Sequence, residues 1–355
     1  MSPNGSEPDA TSPRTAATPG SSEPTGSDVT AAPAGAEQRE GVPRYATTAA
    51  PSRPILPPPL PPGPAQAAAP PEQPQAPPAA PPPARAGAAA YGDRPASQSE
   101  STWNKEPVIE LMAVTKSFGS LKVLDGVTCR IPRGEITVLM GPSGTGKSVT
   151  LRHIVGLLPP DRGDVFVDGH SVPKLNEREL LALRRGIGML FQDGALFSSM
   201  NLFDNVAFPL RQHTHKSEGE VREIVMEHLM EVGLAGAEKR MPNELSGGMR
   251  KRAGFARALV MEPKILLFDE PDSGLDPVRT TLLCDLIREI SQKYNATSVV
   301  VSHDVGAVRR FADNIGILYK GKMRHFGSKQ EIEDSQDEFV HQFFNASSEG
   351  PLGMD

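Results

Sequence analysis

The sequence predicts an α/β fold, a mostly parallel sheet with helices on both faces, interrupted by an inserted helical subdomain and preceded by a long Pro/Ala-rich segment. Three observations predict it. Short, almost continuously apolar runs alternate with helical patterns through the second part of the chain, as expected of strands buried on both faces. A glycine-rich turn, "GPSGTGKS" at 141–148, joins one of these runs to a helix. Composition also breaks near residue 104: of the 36 prolines in 355 residues, 24 fall within 1–100.

In chain order, residues 1–104 combine Pro with Ala, Gly, Ser and Thr. They hold too few large apolar side chains to offset the entropy of ordering a backbone. The segment is therefore expected to be disordered, with polyproline-II character in its Pro runs. Its PxxP spacings would suit a docking arm, although Pro-rich tails match that spacing by chance. The folded part is expected over 105–335, with a C-terminal extension over 336–355. "VIELMAV" (108–114) and "GVTCRIP" (126–132) are short and β-rich, and "EITVLMG" (135–141) reads as a fully buried strand feeding the helix "GKSVTLRHIVGLL". "GIGMLFQ" (186–192), "ILLFDE" (265–270) and "TSVVVSH" (297–303) are further buried strands. Val278, Leu282, Leu283, Leu286, Ile287 and Ile290 give a helix at 278–293 one apolar face. The stretch 218–261 reads as helical throughout, and "GILYKGKMRHFGS" (316–328) as a hairpin turning at Lys-Gly. Phe339, Phe343 and Phe344 form a stripe on a last helix, which packs either on the chain's own body or across a dimer, the dimer being the favoured reading.

Bulk properties exclude several classes. With 37 basic against 43 acidic residues, the net charge of −6 lacks the basic excess of a nucleic-acid-binding protein. No run approaches the ~18 apolar residues of a membrane span, and the first residues lack the apolar core of a secretion signal. Cys129 and Cys284 lie far apart in apolar patterns and read as reduced core residues, which fits a cytosolic setting.

The chemistry centres on "GPSGTGKS", which fits G-x-x-x-x-G-K-[ST] with Gly141, Gly146, Lys147 and Ser148. The loop Gly141, Pro142, Ser143, Gly144, Thr145, Gly146 can turn consecutive backbone N–H groups toward phosphate oxygens, and the following helix start adds a favourable field. That field, about 0.3–1 kcal/mol, cannot hold a triphosphate alone. Lys147, together with Mg²⁺ held partly by Ser148, must neutralise most of the charge. The run "ILLFDE" then supplies Asp269 for the metal. Beside it Glu270 is placed to polarise a water for in-line attack on the γ-phosphate.

A second glycine-rich helix start, "LSGGM" at 245–249, has Ser246 as N-cap, with Gly247 and Gly248 letting the backbone approach an anion. One nucleotide does not need two such ends from one subunit. The economical solution is a head-to-tail pair of chains, each completing the other's ATP site. Arg250, Lys251, Arg252 and Arg257 are then expected to line a solvated face.

These motifs, in this order, resemble the nucleotide-binding subunits of ABC transporters over about 108–330. Phe118 in "KSFGS" is similar to the adenine-stacking aromatic, "GPSGTGKS" to the Walker A motif including the N–H of Val149, and Gln192 in "LFQDG" to the Q-loop. "LSGGM" resembles the signature, "ILLFDE" Walker B, "SGLD" ending in Asp276 the D-loop, and "VVSHD" the switch loop with His303. The resemblance implies a RecA-like sheet with an antiparallel β subdomain and an inserted helical subdomain. It implies ATP and Mg²⁺ as ligands, with Glu270, His303 and Gln192 catalytic and Ser148, Gln192 and Asp269 around the metal. It further implies an ATP-sandwiched dimer on the inner face of a membrane, working with an integral-membrane permease and not with nucleic acid.

Two residues depart from the family pattern: Met249 stands where Gln is usual, and Val149 where Thr is usual. The stretches 191–211, 244–259 and 268–279 resemble the Mce/Mla-type lipid-transport ATPases, which implies a lipid or sterol-like cargo and, indirectly, Mce-type lipid-binding partners. Leu196, Phe197, Met200, Leu202 and Phe203 read as a groove for a permease helix. A soluble ABC-type ATPase acting on ribosomes or DNA is the alternative; such proteins generally carry two cassettes or long coiled-coil insertions, which this chain lacks.

Overall fold

The computed structural model describes residues 94–345, 347 and 349–351; the proline-rich segment before them lies outside the described residues. The described residues belong to a single compact unit.

A six-stranded sheet forms the centre, in the order β10–β9–β3–β8–β7–β6. Its members are β3 (Ile136–Met140), β6 (Ile187–Leu190), β7 (Ile265–Asp269), β8 (Thr297–Val301), β9 (Asn314–Tyr319) and β10 (Lys322–Ser328). All neighbours pair in parallel except the β9–β10 hairpin. Alternate residues point to opposite faces of a strand, and here both faces are covered. Val138, Met140, Leu266, Phe268 and Val300 enter one core, shared with the helices. Leu139, Ile265, Leu267, Val299 and Val301 enter the other, shared with a second sheet. Burial on both sides is why these strands carry no polar alternation.

The second sheet is antiparallel, ordered β2–β1–β4–β5, from β1 (Pro107–Phe118), β2 (Leu121–Pro132), β4 (Arg162–Val167) and β5 (His170–Ser171). Ile109, Leu111, Val165 and Val167 are buried toward the first sheet, while between them Glu110 is buried in an ion pair with Arg130 and Phe166 is half-buried. Three helices make the inserted subdomain: α4 (Leu202–His213), α5 (Glu218–Glu231) and α6 (Gly247–Leu259). Val206, Leu210, Val225, Leu229, Phe255 and Leu259 share its core. The stretch expected to be helical throughout is broken between Glu231 and Gly247, where Gly233 and Gly236 take left-handed conformations.

Two expectations need correction. Order begins before residue 105: a short helix, α1 (Glu100–Trp103), follows Gln98, which is fully buried. The Gln98 amide donates to the Arg130 carbonyl and accepts from its N–H, both at 2.9 Å, and Arg130 stacks on the Trp103 ring. Polar pairing with β2 fixes this segment, and a scan for apolar side chains does not see it. The aromatic stripe of α10 (Glu338–Asn345) is not a free face either. Phe339 and Phe344 are buried in the chain's own core, with Phe339 against Tyr319 at 4.8 Å between ring centroids. Among the described residues no helix is long and apolar enough to cross a membrane. Cys129 and Cys284 are free and buried as expected, and burial pushes both thiols up to about 12.

Candidate functional site

The parallel strands all end at one edge of the sheet, and sequence order brings four motifs there. Register aligns Leu190 with Phe268, Phe268 with Val300, and both Asp269 and Leu139 with Val301. Gly141, Gln192, Glu270 and His303 therefore emerge side by side, the place where open α/β sheets bind ligands.

The phosphate loop leaves β3 and enters α2 (Lys147–Ile154). Gly141 has φ +143°, and a Cβ there would lie 2.1 Å from the Leu318 carbonyl oxygen; at Gly146, φ +99°, one would lie 2.5 Å from Leu124. The loop is thus pressed between β9 and β2, with backbone conformations that only glycine adopts readily. Thr145 Oγ1 closes it by donating to the Pro142 carbonyl at 2.9 Å. Gly144 has open space around it, and Ser143 is exposed.

Lys147 is 5% exposed and folds over the loop, donating to the carbonyls of Gly141 and Pro142 at 2.8 Å each. Burial lowers its pKa, against the raising fields of Glu270 and Asp269. An ammonium group held only by neutral carbonyls, with three donors to offer, is a cation suited to an incoming anion. Ser148 Oγ donates to Asp269 Oδ1 at 2.7 Å. A hydroxyl and a carboxylate held in contact are the hard oxygen donors that Mg²⁺ takes, so this pair fits the metal. Gln192, expected beside them, instead donates its amide to Ser273 Oγ at 3.3 Å.

Glu270 has left-handed backbone, φ +48°, a conformation costing roughly 1–3 kcal/mol for a residue with a side chain. Its N–H donates to the Val301 carbonyl at 3.0 Å. His303 is exposed, on a stem fixed by Ser302, whose N–H donates to Leu139 O and whose Oγ donates to Asp272 Oδ2 at 2.7 Å. Phe118 is 46% exposed at the tip of the β1–β2 hairpin, with Lys116 over its ring. Asp276 caps α7 (Pro277–Lys293) through the N–H groups of Val278 and Arg279. Val149 lies in the first turn of α2, half-buried.

The signature stands at the start of α6. Ser246 caps α6 by accepting from Met249 N–H at 3.3 Å, and Gly247 is exposed. The basic run behind it is not a solvated face. Lys251 is 5% exposed and donates to the carbonyls of Pro271 (2.9 Å), Ser273 and Glu270. Arg252 reaches the carbonyls of Val232 and Gly233, and Arg257 those of Gly194 and Ala195. The signal was in the helical period: Lys251, Phe255 and Leu259 share one face four residues apart, and the last two are core.

Residues that sequence reasoning missed include Lys251, Asp272 and Asn205. Asn205 is fully buried; it accepts from Phe197 N–H and donates to the carbonyls of Phe197, Met200 and Asn201, setting the loop after Gln192.

Comparison with known proteins agrees with this geometry. Residues 124–273 match the model of the ABC transporter family. The "probable ribonucleotide transport ATP-binding protein mkl" of Mycobacterium leprae is 53% identical over 246 residues, 69% of this chain and 71% of that protein. The "intermembrane phospholipid transport system ATP-binding protein MlaF" of Escherichia coli K12 is 43% identical over 245 residues, 69% of this chain and 91% of that one. Among solved structures, the dimeric ATP-binding cassette MJ0796 bound to ADP and Pi superposes with a TM-score of 0.58 at 33% identity, covering 62% of this chain and 98% of that one. The cassette cbiO1 of Clostridium perfringens does so with a TM-score of 0.60 at 27% identity, covering 67% and 95%. The chain belongs to the ABC transporter family as an ATP-binding subunit, and it is an ATPase.

Proposed function

We propose that two copies of this chain sandwich two ATP molecules head to tail and drive a separate membrane permease from its cytoplasmic side. The observation that carries this reading is the pair Gly247 and Gly248. Neither has the positive φ that requires glycine, and a Cβ would meet nothing closer than 3.9 Å at Gly247 or 3.6 Å at Gly248. Two glycines in a first helical turn cost about 0.5–1 kcal/mol each relative to alanine. The chain's own packing does not ask for them; close approach by a phosphate group from outside would.

In each pocket the amides of 141–148 and Lys147 bind the β- and γ-phosphates, and Phe118 stacks on the adenine. The partner's α6 N-terminus, with Ser246 and the amides of Gly247 and Gly248, closes over the γ-phosphate. Ser148 and Asp269 would hold Mg²⁺, with Gln192 turning toward it from Ser273; when bound, the metal neutralises developing phosphate charge. Glu270 takes a proton from water as the water oxygen bonds to the γ-phosphorus and the β–γ bridge breaks, leaving ADP and phosphate. His303 orients the γ-phosphate, and Asp276 reaches the dimer contact. Met249 keeps its amide but offers no side-chain donor to phosphate.

The permease contact is a groove of about 470 Å³ lined by Met200, Asp204, Phe208, Arg211 and Met241. Phe197, 44% exposed, stands beside it with its ring 5.0 Å from Phe208; Leu202 belongs to the core. The cargo we favour is a phospholipid or other hydrophobic molecule delivered with Mce-type lipid-binding proteins, in line with the similarity to MlaF. The name of the mkl relative favours a ribonucleotide as the second reading.

A mixture of Lys147→Ala chains with Gly248→Asp chains tests the sandwich. Each parent is silent and the hybrid regains one pocket's ATP turnover; a silent hybrid rejects the arrangement. With the permease in vesicles, phospholipid raises turnover and ribonucleotide does not, and Phe197→Asp uncouples turnover from the permease.

A further inference from the structure

Lys251 is a buried cation outside the phosphate site, spent on backbone. It leaves α6 two residues after Met249 and reaches the turn that follows β7, where it meets the carbonyls of Glu270, Pro271 and Ser273. Burial lowers its pKa, against the raising fields of the Asp272, Asp193 and Glu270 carboxylates. Asp272 is itself 9% exposed; its Oδ2 accepts from Ser302, and Oδ1 is without a hydrogen-bond partner among the described residues. Ser302 Oγ in turn accepts from Asp304 N–H at 3.1 Å, on the far side of His303. A continuous polar brace thus runs from the signature helix, through the turn bearing Glu270, to the stem of His303.

A buried ammonium group with carbonyl partners is costly unless its contacts are well made, so this arrangement has one good geometry and few tolerable neighbours. Glu270 already sits in strained backbone, and its carbonyl is one of the three that Lys251 holds. A small shift of α6 would pass directly to that carbonyl.

We propose that Lys251 and Asp272 are positioning residues that couple the two ATP pockets, so that phosphate capture by this chain's signature sets Glu270 and His303 of the same chain for the other pocket. The proposal rests on the head-to-tail sandwich, because only there do signature and Glu270 of one chain serve different nucleotides. Arg257 and Arg252 join α6 to other carbonyls, but neither touches the 270–273 turn.

The test is steady-state ATP hydrolysis by the purified full chain against ATP concentration, with nucleotide affinity measured separately by equilibrium binding of a fluorescent ATP analogue. Wild type gives a Hill coefficient above one, approaching the limit of two set by the number of sites. Lys251→Met brings it to one and lowers turnover about 100-fold through misplacement of Glu270, with unchanged affinity for the analogue. Lys251→Arg, whose guanidinium can still donate to carbonyls, restores both in part. Asp272→Asn carries the same test without removing the Ser302 contact, should Lys251→Met fail to fold, and it too loses the Hill slope. A wild-type Hill coefficient of one, or a wild-type slope retained in these variants, overturns the coupling. Hybrids of Lys147→Ala and Gly248→Asp chains separate the two failures: restored turnover with an unaltered Lys251→Met slope sinks the brace alone, whereas silent hybrids sink the sandwich beneath it.

Discussion

Lys147 and Lys251 are each 5% exposed, and each donates to backbone carbonyls, yet their surroundings give them different work. Lys147 opens α2 directly behind the phosphate loop, where Gly144 has open space around it, so its ammonium can turn to a phosphate. Lys251 is enclosed by the 270–273 turn. Replacing Lys147 with Ala should weaken ATP binding about 10- to 100-fold, the value of one or two charge-assisted bonds, read by equilibrium dialysis. Glu270→Gln keeps the shape of the side chain and removes its ability to take a proton. Turnover should fall about 100- to 10,000-fold with ATP affinity retained; a variant with half the wild-type rate would contradict the role of general base. Sequence alone identified Lys147 because motif spacing marks it, and hid Lys251 because a run of Arg and Lys reads as solvent-facing unless its helical period is followed.

At the scale of elements, legibility followed the way burial is distributed. β3, β7 and β8 are covered on both faces, so their apolar runs stand out in the sequence and their positions were read within a residue or two. β4 and the helix Glu177–Arg185, here α3, were not readable: β4 opens on two exposed residues and buries only Val165 and Val167, and α3 buries none of its residues fully. α10 was legible as a helix but not in its contacts, since an aromatic stripe serves a chain's own core and a partner's surface equally well. With Phe339 and Phe344 buried in the core, Phe339→Ala should destabilise the chain by about 3–5 kcal/mol, visible as a lowered thermal midpoint. A midpoint within a degree of wild type would return the stripe to a dimer contact. Asn205→Ala should release the 197–201 loop and leave its carbonyls unsatisfied, so that proteolysis within that loop accelerates while α4 and α6 stay resistant.

At the scale of the whole molecule, acid sensitivity follows from paired carboxylates. A hydrogen bond from Arg133 holds the Asp168 carboxyl below its usual range, a bond from Lys116 does so for Asp161, and one from Arg211 for Glu218. Each folded-state pKa is depressed, so the stabilisation is complete above the unfolded values near about 4 and is lost as pH falls through the lower folded values. The thermal midpoint should hold from about pH 7 to about pH 5 and drop below about pH 4; a decline already complete at about pH 5 would assign acid loss to other groups. The pairing of two copies around ATP is tested most directly by joining them covalently. Cys129 and Cys284 are buried with thiols pushed to about 12, so cysteines placed at exposed Ser143 in one chain and Gly247 in another would be the reactive pair. With a short bifunctional thiol reagent, ATP under non-hydrolysing conditions should produce a crosslink between the two different chains, and its absence should abolish it. Crosslinking that ignores ATP, or that joins only chains carrying the same substitution, would contradict the head-to-tail sandwich.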